Sequence, residues 1–190
     1  MGEIIEDGIY EILSSIYTSL GFSVCLAFLF MFAYLYAKEI GLKKSIEMWI
    51  VKFKTKREFR GTFFIALYAA LIAFKTLLNR SLWLNPLSDI MGGWWIYDQK
   101  GEFTAEAILN IFMLFPLIFL IDLYYGDRIF QEICLSKILV SSFKISFSTS
   151  VIIEFLQLIF RLGTVQIADI VYNTVGGIIG GFAYFIWKQR

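Results

Sequence analysis

Glu154, Gln157, Arg161, Asp169 and Asn173 all fall within the strongly apolar stretch EFLQLIFRLGTVQIADIVYN. A water-soluble core rarely gathers acids, amides and an arginine so closely. In a membrane each charge costs roughly 2.5–3.5 kcal/mol at mid-bilayer on insertion scales, so such residues are usually paired and often functional. Ser150, Glu154, Gln157 and Arg161 follow i, i+4, i+7, i+11, one stripe of a helix. Lys75 and Asn79, Glu106 and Asn110, and Asp169 and Asn173 are each four apart, so each segment directs its polar groups one way. Arg161, Arg80 and Lys75 are available to Glu154 and Asp169, and the sequence leaves open which acid meets which base.

Several kinds of chemistry suit this set. As a recognition site, Arg80 and Arg161 would receive phosphate or carboxylate groups, with Glu154 and Asp169 orienting the guanidinium forks. As a catalytic site, Glu154 would be the general acid or base and an arginine would stabilise developing negative charge. The same residues could also form a satisfied network that only holds helices in register. Transport ranks last, because the opposite half of the segments offers only Lys144 and Asp122. The chain has no histidine, which excludes His-ligated metals, Ser-His-Asp triads and imidazole relays. Cys25 and Cys134 show no CxxC spacing, so neither a disulfide framework nor a metal site is expected. Cys25 reads as a small buried apolar residue.

The elements that must position these groups are membrane helices. Of 190 residues, 58% are hydrophobic and mean hydropathy is +0.70, a balance that belongs to an integral membrane protein. Segments of about 20 apolar residues occur at residues 12–37, 62–78, 103–124, 138–160 and 170–187. The expectation is an all-α bundle of about five transmembrane helices. An N-terminal part, 1–61, contributes one span and a basic segment, and 62–190 forms the main membrane domain. The basic segment, KSIEMWIVKFKTK, sets Met48, Trp49, Ile50 and Phe53 among lysines. It reads equally as a helix lying on the membrane face or as an ordinary basic loop. Assigning it to the cytoplasm puts the N-terminus outside, the C-terminus inside and the four polar clusters, around Lys75–Arg80, Glu106–Asn110, Glu154–Arg161 and Asp169–Asn173, in the outer leaflet. The connection RSLWLNPLSDIMGGWWIYDQKGE, with Pro86, Gly92-Gly93 and four interfacial aromatics, is expected to be a non-helical or re-entrant cap. Pro116 is a candidate kink in the third span. TVGGIIGG places Gly176/Gly180 and Gly177/Gly181 in two overlapping small-xxx-small patterns, which suit close helix packing within the chain or, less favourably, a homo-oligomer face.

Arg80 with Asn85-Pro86, Asn110 with Phe115-Pro116-Leu117, Glu154-x-x-Gln157 and Asp169-x-x-x-Asn173-Thr174-x-Gly176-Gly177 resemble, in order and spacing, the motifs of the VanZ-like family. These are small membrane proteins named for one associated with teicoplanin resistance. The resemblance implies a cell-envelope role and no established biochemical activity; the expected binding or polar cluster is Arg80, Asn85, Asn110, Glu154, Gln157, Arg161, Asp169 and Asn173. On the recognition reading the expected partners are membrane lipids and a lipid-linked cell-wall precursor or lipoglycopeptide, and neither nucleic acid nor a cofactor is expected. Gln166 and Ala168 stand where the family often carries acids, which argues against a multi-acid metal cluster.

Overall fold

The computed structural model describes residues 8–9, 20, 23–24, 26–34, 41–80, 83–96 and 103–190. The described residues of the first expected span are helical (20, 23–24 and 26–34), and the remainder of it, with Cys25, lies outside the described residues. Beyond it come α1 (Leu42–Thr55), α2 (Arg57–Ala73), a π-helical turn (Phe74–Leu78), α3 (Glu106–Ile129), α4 (Leu135–Phe160) and α5 (Ile167–Lys188). Among the described residues, four helices are long and apolar enough to cross a membrane: Arg57–Leu78, Glu106–Ile129, Leu135–Phe160 and Ile167–Lys188. The protein is a helical membrane bundle.

The basic segment is a helix. Its Trp49 and Phe53 pack on Phe28, Phe59 and Phe63, around buried Ala27 and Met31. On the other side, Ile46, Ile50 and Val51 stay exposed beside the lysines. Lys56, in extended conformation, breaks the chain between α1 and α2. Arg60 closes the join by donating to the carbonyls of Phe53 and Lys54, two of the last acceptors of α1.

Helix α3 continues five residues beyond its expected end at Tyr124, because its charged tail finds partners. Arg128 meets Glu58 of α2 at 2.5 Å, and Asp127 meets Lys188 of α5 at 2.7 Å. The start of α2, the start of α4 and the ends of α3 and α5 thus share one end of the bundle, rich in basic residues.

α5 packs chiefly on α3 and α4, and its glycines explain how. A β-carbon at Gly176 would overlap the Ile111 carbonyl, and one at Gly180 the Phe115 carbonyl, both on α3. At Gly177 and Gly181 it would overlap Ser146 and Ser142 of α4. The two patterns therefore serve two different neighbours, one each. Pro116 lies within the continuous α3. Having no N–H, it leaves the Phe112 carbonyl without its helical donor, and the Tyr68 hydroxyl of α2 donates there instead at 2.9 Å.

Candidate functional site

At the end of the bundle opposite the basic one, all four spanning helices contribute to one buried polar cluster. From α4 come Ser150, Glu154 and Gln157, and from α5 Asp169 and Asn173. Asn110 comes from α3, and α2 offers the Thr76 carbonyl from its π-helical turn. The six side chains are each 6% exposed or less, so all are closed to surrounding lipid. Asn110 Nδ2 donates to Asp169 Oδ1 at 2.6 Å, joining α3 to α5. Asn173 Nδ2 donates to Ser150 Oγ at 2.9 Å, joining α5 to α4. Gln157 Nε2 donates to the Thr76 carbonyl at 3.0 Å, joining α4 to α2. π-Helical turns are uncommon and concentrate at functional sites. Here the turn brings the Thr76 carbonyl within reach of another helix.

The 83–96 segment closes this end. Its described residues form turns and bends with no helix, and they run beside the turn between α4 and α5. Three backbone bonds of 2.8 Å stitch the two together: Trp83 N–H to Arg161, Val165 N–H to Pro86 and Ile167 N–H to Ile90. Gln166 links cap to cluster. Its backbone N–H donates to Glu154 Oε2 at 3.0 Å, and its side-chain amide donates to Asp89 at 3.3 Å and Thr164 at 3.2 Å. Gly92, at φ +70, lies against Gln166, where a β-carbon would stand 2.8 Å from Oε1. The Tyr172 hydroxyl donates to the Trp94 carbonyl, tying the cap to α5 as well. Tyr97 and the remainder of the expected cap lie outside the described residues.

Two expected members stand elsewhere. Arg161 does not extend the stripe of α4, because the helix ends there in a left-handed residue (φ 55, ψ 45). The bonds from Leu162 N–H to the Gln157 carbonyl and from Arg161 N–H to the Leu158 carbonyl make this a Schellman ending. The turned backbone leaves the Arg161 side chain exposed. Asn85 is also exposed, and its carbonyl accepts the Ser88 N–H at 3.1 Å within a turn of the cap. Arg80 is half-buried, with Nη1 2.9 Å from the position a Gly163 β-carbon would take. Among the described residues, no ion pair within 4 Å joins an arginine to either acid.

Sequence reasoning missed four contributors. Ser142 and Ser146 extend the Ser150–Glu154 spacing toward the basic end, each fully buried and hydrogen-bonded to a backbone carbonyl. Their spacing was the available signal. Gln166 meets Glu154 through its main-chain N–H, and Thr76 meets Gln157 through its carbonyl; neither of these contacts leaves a mark in residue type.

The cluster's unmet demand has one sign. Gln157 Oε1, Gln166 Oε1 and Asn173 Oδ1 are buried acceptors with no donor among the described residues. They lie in the same cluster as two carboxylates, so it is rich in acceptors and poor in donors. Among the described residues, no group of three or more His, Cys, Asp or Glu could hold a metal ion. What the arrangement can do is accept hydrogen bonds from hydroxyl, amide or ammonium groups, with the Arg80 cation beside them.

The family model described as VanZ/LLP1 matches residues 16–188. No curated protein and no solved structure matches the chain. The match takes in α1 to α5 and every member of the polar cluster, and the chain belongs to the VanZ/LLP1 family.

Proposed function

We propose that the protein recognises the polar head of an amphiphilic cell-envelope molecule, a lipid-linked wall precursor or a lipoglycopeptide, in the cluster beneath the 83–96 cap. The observation that carries this reading is the set of buried acceptors without donors at Gln157, Gln166 and Asn173, beside Glu154 and Asp169. A buried polar atom without a partner costs about 1–3 kcal/mol, and packing alone gives no reason to collect three at one end. The occupant supplies donors to these oxygens, and Arg80 receives an anionic group of the same head. The basic end, with Lys43, Lys44, Lys52, Lys54, Arg57, Arg60, Lys137 and Lys188, faces the cytoplasm. The N-terminus is then outside, the C-terminus inside, and the cluster lies in the outer leaflet. Resistance to teicoplanin-like drugs follows from masking or reorganising their target at the membrane surface.

The test is drug susceptibility of cells carrying Glu154→Gln or Gln157→Leu at wild-type protein level. The proposal expects resistance to fall in both. Unchanged resistance in both would remove the cluster from function.

A further inference from the structure

The basic end carries a groove of about 580 Å³ between the turn that follows α3 and one face of α4. Lys137, Val140, Ser141 and Lys144 line it at i, i+3, i+4, i+7, with Gln131 and Ser136 completing the wall. Lys144 lies nine residues into α4, about 14 Å along the axis at 1.5 Å per residue. It is exposed, on a helix whose neighbouring Phe143 and Phe147 are 46% and 44% exposed. A lysine facing lipid at that depth is expensive unless its ammonium returns to the interface. Helical side chains lean toward the N-terminus of their own helix, and the N-terminus of α4 is at the basic end. The Lys144 stem therefore runs back toward Ser141 and Lys137, where the groove lies.

We propose that this groove binds the phosphate head of an anionic phospholipid of the leaflet at the basic end. The two ammonium groups, the hydroxyls of Ser136 and Ser141 and the Gln131 amide all present donors to phosphate oxygens. Val140, Phe143, Phe147 and Val151, all exposed, continue up α4 as a surface for acyl chains. Glu132 meets Lys137 at 3.7 Å on the rim, and both side chains are mostly exposed. A pair of that kind contributes little and yields to phosphate. The charge preference is opposite to that of the acceptor-rich cluster at the far end, and the site is independent of how that cluster is used.

Native mass spectrometry of the full-length protein, titrated with phosphatidylglycerol or phosphatidylcholine of matched chains, tests this. The anionic lipid should bind in preference. Lys137→Gln and Lys144→Gln should each weaken it about fivefold, the effect of one interfacial cation. Lys144→Arg should retain binding, which separates lost charge from lost fold. Lys43→Gln with Lys44→Gln, on exposed α1, should leave it unchanged. The proposal is overturned by equal binding of the zwitterionic lipid, by undiminished binding after both groove substitutions, by an equal loss from the α1 pair, or by inorganic phosphate binding as tightly as the lipid.

Discussion

Gly176 and Gly177 are neighbours in sequence but face different helices, and alanine at each should fail for a different reason. At Gly176 the added methyl overlaps the Ile111 carbonyl oxygen and stands 3.0 Å from Ile111 Cα, so backbone is the obstacle. At Gly177 it overlaps Ser146 Cβ and stands 2.6 Å from Ser146 Oγ and 3.1 Å from Ile118 Cγ1, so side chains are the obstacle. Overpacking a filled interface costs about 1–3 kcal/mol, while glycine to alanine within a helix returns about 1 kcal/mol. Because backbone cannot yield, the upper end of that cost applies, and Gly176→Ala should lose a net of about 2 kcal/mol, with no recovery from shortening Ile111. Gly177→Ala should lose a similar amount and regain most of it when combined with Ser146→Gly. The assay is denaturant unfolding of the purified protein in detergent. Wild-type stability for Gly176→Ala, or its rescue by Ile111→Ala, would refute the proposed backbone contact between α3 and α5.

Removing the Tyr68 hydroxyl (Tyr68→Phe) should cost about 0.6 kcal/mol, a typical hydrogen bond between membrane helices. It should cost nothing in Pro116→Ala, where residue 116 regains the N–H that the Phe112 carbonyl needs; a double-mutant cycle in the same unfolding assay reads the difference. Arg161→Gly should raise stability by up to about 1 kcal/mol, because glycine takes the left-handed conformation without penalty; a loss would mean that the exposed side chain holds something. The Cys134 thiol is held below the usual thiol range by the Ser136 hydroxyl and by the backbone N–H groups of Lys137 and Ser136. In a Cys25→Ser background, an impermeant maleimide should label Cys134 from the cytoplasmic side only. Labelling should reach half its plateau below the pH of about 8.5 typical of a free thiol, and labelling of intact cells would invert the topology.

Sequence shows this fold best where periodicity and hydropathy act alone. The apolar segments mark the four spanning helices to within a few residues, and Ser150, Glu154 and Gln157 share a stripe because they share a helix. Arg161 broke the pattern because the stripe assumed helix one residue too far. Nothing in residue type announced a non-glycine left-handed ending there. The extension of α3 to Ile129 depends on Asp127 and Arg128 meeting Lys188 and Glu58, partners 61 and 70 residues away. The role of Gln166 was obscured for another reason. Its contact with Glu154 is made by a main-chain N–H, and side-chain type is silent about main-chain donors. The same holds for Thr76, whose carbonyl becomes a partner only because α2 ends in a π-helical turn.

The most direct test of the account is what the protein carries when purified from its own membranes. Lipid extracts of the wild type and of Gln157→Leu, compared by mass spectrometry, should differ in one class: an amphiphile with hydroxyl, amide or amine groups on its head. That class should be depleted about tenfold in the variant, the loss expected from about 1.4 kcal/mol of hydrogen bonding, while bulk phospholipids stay unchanged. Identical extracts from two equally folded proteins would contradict the claim that the buried acceptors exist to hold a ligand.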